Sequence, residues 1–337
     1  MKAPDSLAHP TARPSRAGSE PARRVGHRRG REPGPLLLVV AGIHGNEPAG
    51  VLAARRFFER LERDAPPLRG DVVALLGNTR ALARGVRYID RDLNRGWSRD
   101  HLASSPTDGG PHSSEDLEQR ELFDAIESAR SLARGPVTFL DLHTTSADGI
   151  PFAMVGDAPR GRDFALHFPL PLLLGLLEQV DAPLLEYMRG LGCVTLGVEA
   201  GQNDRESSVL HHEAVLWIAL VAAGLLRRDS VPEFARCRAL LSRARRGLPH
   251  VMQVQRRHPI TPQDRFLMQP GFANIQRVRA GELLARDRSG DIHADRDGIL
   301  FMPLYQPQGD DGFFLGRAVH SFRLRFPALL RRMRDSR

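Results

Sequence analysis

This sequence predicts an α/β fold, with a mixed or parallel sheet flanked by helices and a small C-terminal all-β domain. Three observations lead there. Short continuous apolar runs alternate with amphipathic segments from residue 34 to about residue 248, the pattern of strands buried on both faces with helices packed over them. From residue 249 the helical spacing gives way to short alternating runs punctuated by Gly and Asp. The first 33 residues, rich in Pro, Arg, Ser and Gly, have no apolar period and predict a disordered tail. The expected boundaries are therefore a tail over 1–33, an α/β domain over 34–248, a small β domain over 249–322 and a basic tail over 323–337.

The elements follow in order. Residues 36–41 are an unbroken apolar run between Gly-Pro and Gly, a buried strand. Residues 48–63 carry Val51, Leu52, Ala54, Phe57, Phe58 and Leu61 at helical spacing, with Pro48 suited to a first turn. Residues 72–76 form a second strand. Residues 113–133 open with a serine cap and acids in the first turn, then present Leu117, Leu122, Phe123 and Ile126, so they form a helix. Residues 137–142 and 194–198 supply the third and fourth strands, and 210–226 a largely buried helix. In the β region, 253–257, 273–278, 298–303 and 312–318 are the strand candidates. Residues 151–179 match no pattern.

Composition excludes several classes. A hydrophobic content of 41% and a charged content of 26% belong to a soluble globular protein. Two cysteines are too few for a disulfide framework, which points to a reducing, cytoplasmic setting. The best apolar stretch, 214–226, falls short of the roughly 18 residues a membrane helix needs, so no membrane partner is expected. The tail has no apolar core of a secretory signal. The net charge of +8 suggests nucleic acid until it is mapped: 1–33 and 323–337 carry +5 each, leaving −2 for 34–322. No basic groove on the folded part follows from that, and no nucleic-acid partner is expected.

Polar residues just beyond the carboxyl ends of parallel strands face the ligand crevice. Four groups sit there. His44 and Glu47 follow the first strand in "GIHGNEPAG"; "RYIDRDLNR" lies beyond the second; "DLHTTS", with Asp141 and His143, ends the third; "GVEAG", with Glu199, ends the fourth. A single His or Glu at a strand end is ordinarily a capping or surface residue. The joint series carries more. Two His and one Glu form the set that holds catalytic zinc in carboxypeptidase A. Glu199 is a candidate base for a water activated by that metal, and Asp141 a candidate to orient a ligand imidazole.

In this order and spacing the four motifs resemble the succinylglutamate desuccinylase/aspartoacylase family, which belongs to the zinc carboxypeptidase-like hydrolases. The resemblance covers roughly residues 35 to 322, including "PGFANIQRVRAGELLARD" and "MPLYQPQGDDGFF". It implies one Zn2+ per chain and hydrolysis of a small N-acyl amino acid of the N-acetylaspartate or N-succinylglutamate kind, giving a carboxylate and a free amino acid. It further implies His44, Glu47 and His143 as zinc ligands, Glu199 as general base, and Arg87 as the group polarising the scissile carbonyl. Asn94, Arg95 and Arg189 would hold substrate carboxylates. The aspartoacylase tyrosine lies four residues before its arginine, whereas Tyr187 lies two before Arg189; Tyr187 and Tyr305 are both candidates for its role. In that family the small β domain closes over the crevice, and residues 151–179 would shape an acyl pocket less polar than succinate needs. Two other readings compete: a carboxypeptidase acting on short peptides, and a non-catalytic arginine-rich binding protein.

Overall fold

The computed structural model describes residues 23–104, 113–156, 158–231, 233–245 and 247–319. The first half of the chain forms β1 (Arg24–Arg29), β2 (Glu32–Ala41), α1 (Ala49–Asp64), β3 (Arg69–Leu76), α2 (Thr79–Arg84), α3 (Arg99–Ser104), α4 (Ser114–Arg130), β4 (Val137–Thr145), β5 (Phe152–Met154) and α5 (Pro159–Ala165). After these come β6 (Leu172–Leu174), α6 (Leu184–Gly190), β7 (Val194–Gln202), α7 (Glu206–Ala222) and α8 (Phe234–Ala244). The C-terminal strands are β8 (Val251–Pro259), β9 (Leu267–Met268), β10 (Gln276–Val278), β11 (Leu283–Asp287), β12 (Gly290–His293), β13 (Gly298–Phe301) and β14 (Asp311–Ala318).

Eleven strands share one sheet in the order β1-β3-β2-β4-β7-β5-β6-β8-β14-β13-β10, and β12-β11-β9 form a second, three-stranded sheet. At its centre β3, β2, β4 and β7 run parallel. Their side chains alternate between two faces, as a period of two requires. Leu37, Val39 and Ala41 pack with Phe57, Leu61 and the apolar side of α7. Leu36, Leu38 and Val40 pack on the other face with Leu122 and Ile126 of α4 and with Leu184 and Met188 of α6. Both faces are covered, which is why the strands read as continuous apolar runs. Ser113 caps α4 in a reciprocal box with Asp116, as the serine and the first-turn acids predict.

One expectation needs correction. Residues 24–29 are not part of a disordered tail: β1 pairs antiparallel with β3 at one edge of the sheet. The preceding Arg23 is 4% exposed and donates to Glu118 and Glu121 of α4 and to the Gly77 carbonyl. Residues 1–22 and the tail 323–337 lie outside the described residues. The expected small C-terminal all-β region is present: β9, β11 and β12 form a separate antiparallel sheet, while β8, β14, β13 and β10 continue the central sheet through the parallel pair β6–β8. Among the described residues no helix is long and apolar enough to cross a membrane.

Candidate active site

Following the chain, β2 pairs with β3 on one side and β4 on the other, so the order turns back on itself at β2. The carboxyl ends of strands around such a point open a crevice. His44 and Glu47 occupy the turn from β2 into α1. Gly42 takes φ 71°, a conformation that suits glycine. The Gly45 amide donates to the Arg87 carbonyl at 3.1 Å, and a Cβ at Gly45 would lie 2.1 Å from the Ala81 carbonyl carbon. That contact welds the turn to the chain segment that carries Arg87.

His143 stands near the end of β4 and faces the same point. One ligand atom from each of His44, Glu47 and His143 lies within 4.8 Å of the other two, and all three residues are buried. The Glu47 carboxylate bridges the rings, with Oε1 2.8 Å from His44 Nδ1 and Oε2 3.3 Å from His143 Nδ1. Its Oε2 also accepts the Thr144 amide at 3.0 Å. The far nitrogen of each ring meets another carboxylate: His44 Nε2 lies 3.0 Å from Asp92 and His143 Nε2 2.9 Å from Asp141. This is the carboxylate–histidine arrangement that fixes ring orientation and raises ligand basicity at metal sites.

Electrostatics point the same way. Glu47, Asp92, Asp141 and Glu199 are each 9% exposed or less; the Arg87 guanidinium is inserted among them, contacting Glu47 at 3.4 Å and Asp92 at 2.9 Å, and Arg95 reaches Asp92 at 3.8 Å. Burial alone would lower both imidazoles. Asp141 and Glu47 nevertheless hold His143 well above its ordinary range, and Asp92 and Glu47 raise His44. Burial would also raise Glu47, but the two histidines keep it well below the usual carboxylate range. Burial works against the charge of Arg87 as well, and Asp92 and Glu47 more than offset it. A buried cluster in which two imidazoles and a carboxylate converge on one point fits a divalent cation.

Glu199 stands beside this set. It pairs with His143 across β4 and β7 and with Phe152 across β7 and β5. Burial, with Glu47 adding to it, pushes its carboxyl up to about 7, and its buried Oε2 has no hydrogen-bond partner. An unpartnered buried carboxylate oxygen is costly unless something else engages it.

The segment 85–97 is shaped by Glu115 of α4. Although wholly buried, this carboxylate accepts from the backbone amides of Ile89, Asp90 and Arg91 and from Asn78 Nδ2. Arg87, Asn94 and Arg95 line the cavity above the His–Glu–His set. Asn94 Oδ1 accepts the Leu184 amide at 2.9 Å, tying the segment to α6. Arg95 is engaged by acids from the β region, with Asp310 and Asp311 each 2.9 Å from its Nη2 and Asp310 also 3.3 Å from its Nε. Arg257 pairs with the same two aspartates.

Three expected residues stand elsewhere. Arg189 pairs with Glu186 on α6 and is not in the cavity wall. The Tyr187 ring packs between Trp97 and Phe123. Tyr305 donates its hydroxyl hydrogen to the Gln269 carbonyl at 2.6 Å and accepts the Phe272 amide at 3.0 Å, which spends the hydroxyl inside the β region. Sequence reasoning also missed Asp92, although it lies within the quoted "RYIDRDLNR", and the pair Asp310–Asp311. The repeated acid in "GDDGFF" was the only signal of that pair. The unpatterned stretch 151–179 yields β5, α5 and β6, and it brings Met154, Leu176 and Leu177 into the cavity wall beside Val180 and Leu185.

Fold and site together define an α/β protein with a candidate metal centre at the carboxyl ends of its parallel strands. The succinylglutamate desuccinylase/aspartoacylase catalytic domain matches residues 33–210, and the chain belongs to that family. An N-acyl-aromatic-L-amino acid amidohydrolase (carboxylate-forming) of Xenopus tropicalis is 35% identical over 133 residues, 39% of each chain. A succinylglutamate desuccinylase of Burkholderia pseudomallei is 33% identical over 108 residues, 32% of this chain and 30% of the relative. The matched stretches thus span well under half of these curated relatives. The solved structure of a succinylglutamate desuccinylase/aspartoacylase from Rhodobacter sphaeroides superposes with a TM-score of 0.62 at 20% identity, covering 87% of this chain and 88% of that one, which establishes the shared fold.

Proposed function

We propose that this protein hydrolyses the amide bond of an N-acyl amino acid to a carboxylate and a free amino acid, with one zinc ion per chain held by His44, Glu47 and His143. The unpartnered Oε2 of Glu199, buried beside that ligand set, carries the reading. A zinc ion held there would supply Lewis acidity and lower the pKa of water towards neutrality. Glu199 Oε2 takes the proton of the attacking water and returns it to the leaving nitrogen. The Arg87 guanidinium, kept charged by Asp92 and Glu47, faces the oxygen on which negative charge develops. Asn94 and Arg95 hold the amino acid carboxylate, with Arg95 exchanging Asp310 for it.

For substrate class, the cavity wall supports an apolar group more than a second carboxylate. Met154, Leu176, Leu177, Val180 and Leu185 line it, and Arg87 and Arg95 are its only arginines among the described residues. With Arg189 outside the wall, an acidic side chain or a succinyl group lacks a free cation to meet. The name of the Xenopus relative, an amidohydrolase of N-acyl aromatic amino acids, agrees with that. Residues 302–311 of the β region wall the crevice, which favours a small substrate over a peptide.

The test is zinc content of the purified chain together with amine release from N-acetyl-phenylalanine, N-acetyl-leucine, N-acetyl-aspartate and N-succinyl-glutamate. Stoichiometric zinc and at least about tenfold preference for the apolar members are expected. Turnover of the acidic members alone would overturn the substrate class. An active, folded protein indifferent to chelation would overturn the mechanism.

A further inference from the structure

The adjacent histidines of α7 have no part in the chemistry above. His212 is fully buried and His211 is 9% exposed, and each aims one ring nitrogen at a main-chain carbonyl of a different strand. His211 Nδ1 lies 2.8 Å from the Ala200 oxygen and His212 Nε2 3.0 Å from the His143 oxygen. A carbonyl oxygen only accepts, so each ring nitrogen is the donor and the two rings are opposite tautomers. His212 Nδ1, correspondingly, is buried without a partner. One helical turn earlier Ser208, also fully buried, donates its hydroxyl to the Gln202 oxygen at 2.7 Å.

These three carbonyls flank one irregularity. β4 and β7 are paired in register as far as His143 and Glu199, and pairing resumes at Thr145 and Gln202. Between those pairs β7 carries one more residue than β4, a bulge at Ala200–Gly201 where Gly201 takes φ 119°. A bulge interrupts the ladder and re-aims the side chains next to it. Here those side chains are a predicted metal ligand and the predicted base.

We infer that Ser208, His211 and His212 are positioning residues: through three hydrogen bonds to the carbonyls of Gln202, Ala200 and His143, α7 holds the bulge that sets Glu199 at a fixed distance from His143. The inference rests on the catalytic reading of Glu199 and His143 given above. A shift of about 1 Å between reacting groups costs on the order of a hundredfold in rate, so a clamp on this spacing acts on turnover more than on substrate affinity.

The tautomers supply the test. The asparagine amide nitrogen sits where imidazole Nδ1 does, and the glutamine amide nitrogen where Nε2 does. Four variants of the full, zinc-loaded chain are compared: His211→Asn, His211→Gln, His212→Gln and His212→Asn. His211→Asn and His212→Gln keep kcat within about threefold of the parent, whereas His211→Gln and His212→Asn lower it about tenfold or more with KM little changed. Zinc affinity by chelator competition falls about tenfold in His212→Asn and is restored in His212→Gln, because the His143 backbone loses and regains its donor. If the two amides behave alike at each position, whether both active, both inactive or both unfolded, the inference is overturned and the histidines are core filling. A parent chain with no hydrolytic activity would end the catalytic reading instead, while the chelator ranking of the position 212 variants would still test the clamp on His143.

Discussion

Replacing Asp92 and, separately, Asp141 by asparagine removes the same charge from behind the two candidate ligand histidines, yet the structure predicts unequal losses. Asp141 is engaged on one side only: Oδ2 meets His143 and Oδ1 has no partner, so an asparagine oxygen still accepts from the ring and the amide nitrogen takes the empty side. Asp92 is engaged on both. Oδ1 accepts from the Asn94 amide and meets His44, and Oδ2 accepts from Arg87 Nη2 at 2.9 Å. Asparagine there either forfeits the His44 contact or sets its amide hydrogens against a guanidinium only 14% exposed. Loss of the partner behind a ligating histidine costs about 10- to 100-fold in metal affinity. Breaking a buried ion pair on one side costs about 3–5 kcal/mol, reduced here because Glu47 still contacts Arg87 at 3.4 Å. Asp141→Asn should therefore weaken zinc about tenfold and cost about 1 kcal/mol, and Asp92→Asn about a hundredfold and about 2–3 kcal/mol. Chelator competition and denaturant unfolding of the zinc-free chains measure the two quantities. Equal losses, or a larger loss at Asp141, would refute the two-sided role of Asp92.

Glu199→Gln should keep stoichiometric zinc and an unchanged KM while kcat falls about 10²- to 10⁴-fold; an unaltered rate removes Glu199 from the chemistry. Asp310→Asn removes one of the carboxylates paired with Arg95, so under the proposed exchange KM should fall several-fold at constant kcat, and a raised KM would sink the exchange. Glu118 is buried, which alone would raise its carboxyl, but Arg23, Thr79 and the Arg80 amide hold it below the usual carboxylate range. Its contribution to stability is therefore complete above that range and lost as pH falls through the depressed value. Glu118→Gln should cost about 3 kcal/mol near neutrality and flatten the acid limb of stability against pH, both read from urea midpoints; an unchanged acid limb would contradict the pairing.

What the sequence made legible follows from its physics. The buried parallel strands and α1, α4 and α7 showed themselves because a two-sided core writes long apolar runs and helical spacing. The three candidate ligands and Glu199 were visible because they come from strand ends whose order in the chain is known. β1 was hidden: "RVGHRR" has a single large apolar residue, and it is held by edge pairing to β3 while the preceding Arg23 finds its partner on a helix 95 residues away. β5 and β6, at three residues each, are too short to display a period. Asp92 was quoted without a role because its partners, His44 and Arg87, are set by a turn contact at Gly45 that no spacing records. Arg189 and Tyr187 were carried over from a family pattern whose spacing here is altered, and α6 turns both away from the cavity.

The position of β7 bears on how the chain reaches this state. β4 and β5 are separated by six residues in sequence, yet in the sheet they are held apart by a strand synthesised some forty residues later. Until β7 inserts, two neighbouring edges of the sheet stand open toward each other, and closing that slot is a non-local event of the kind that slows folding. The strand that fills it is the one that brings Glu199, so the chain acquires its candidate base only when its sheet becomes continuous. In refolding, far-ultraviolet ellipticity should recover ahead of hydrolytic activity, and a β7 weakened at Leu196 or Val198 should widen that gap in time.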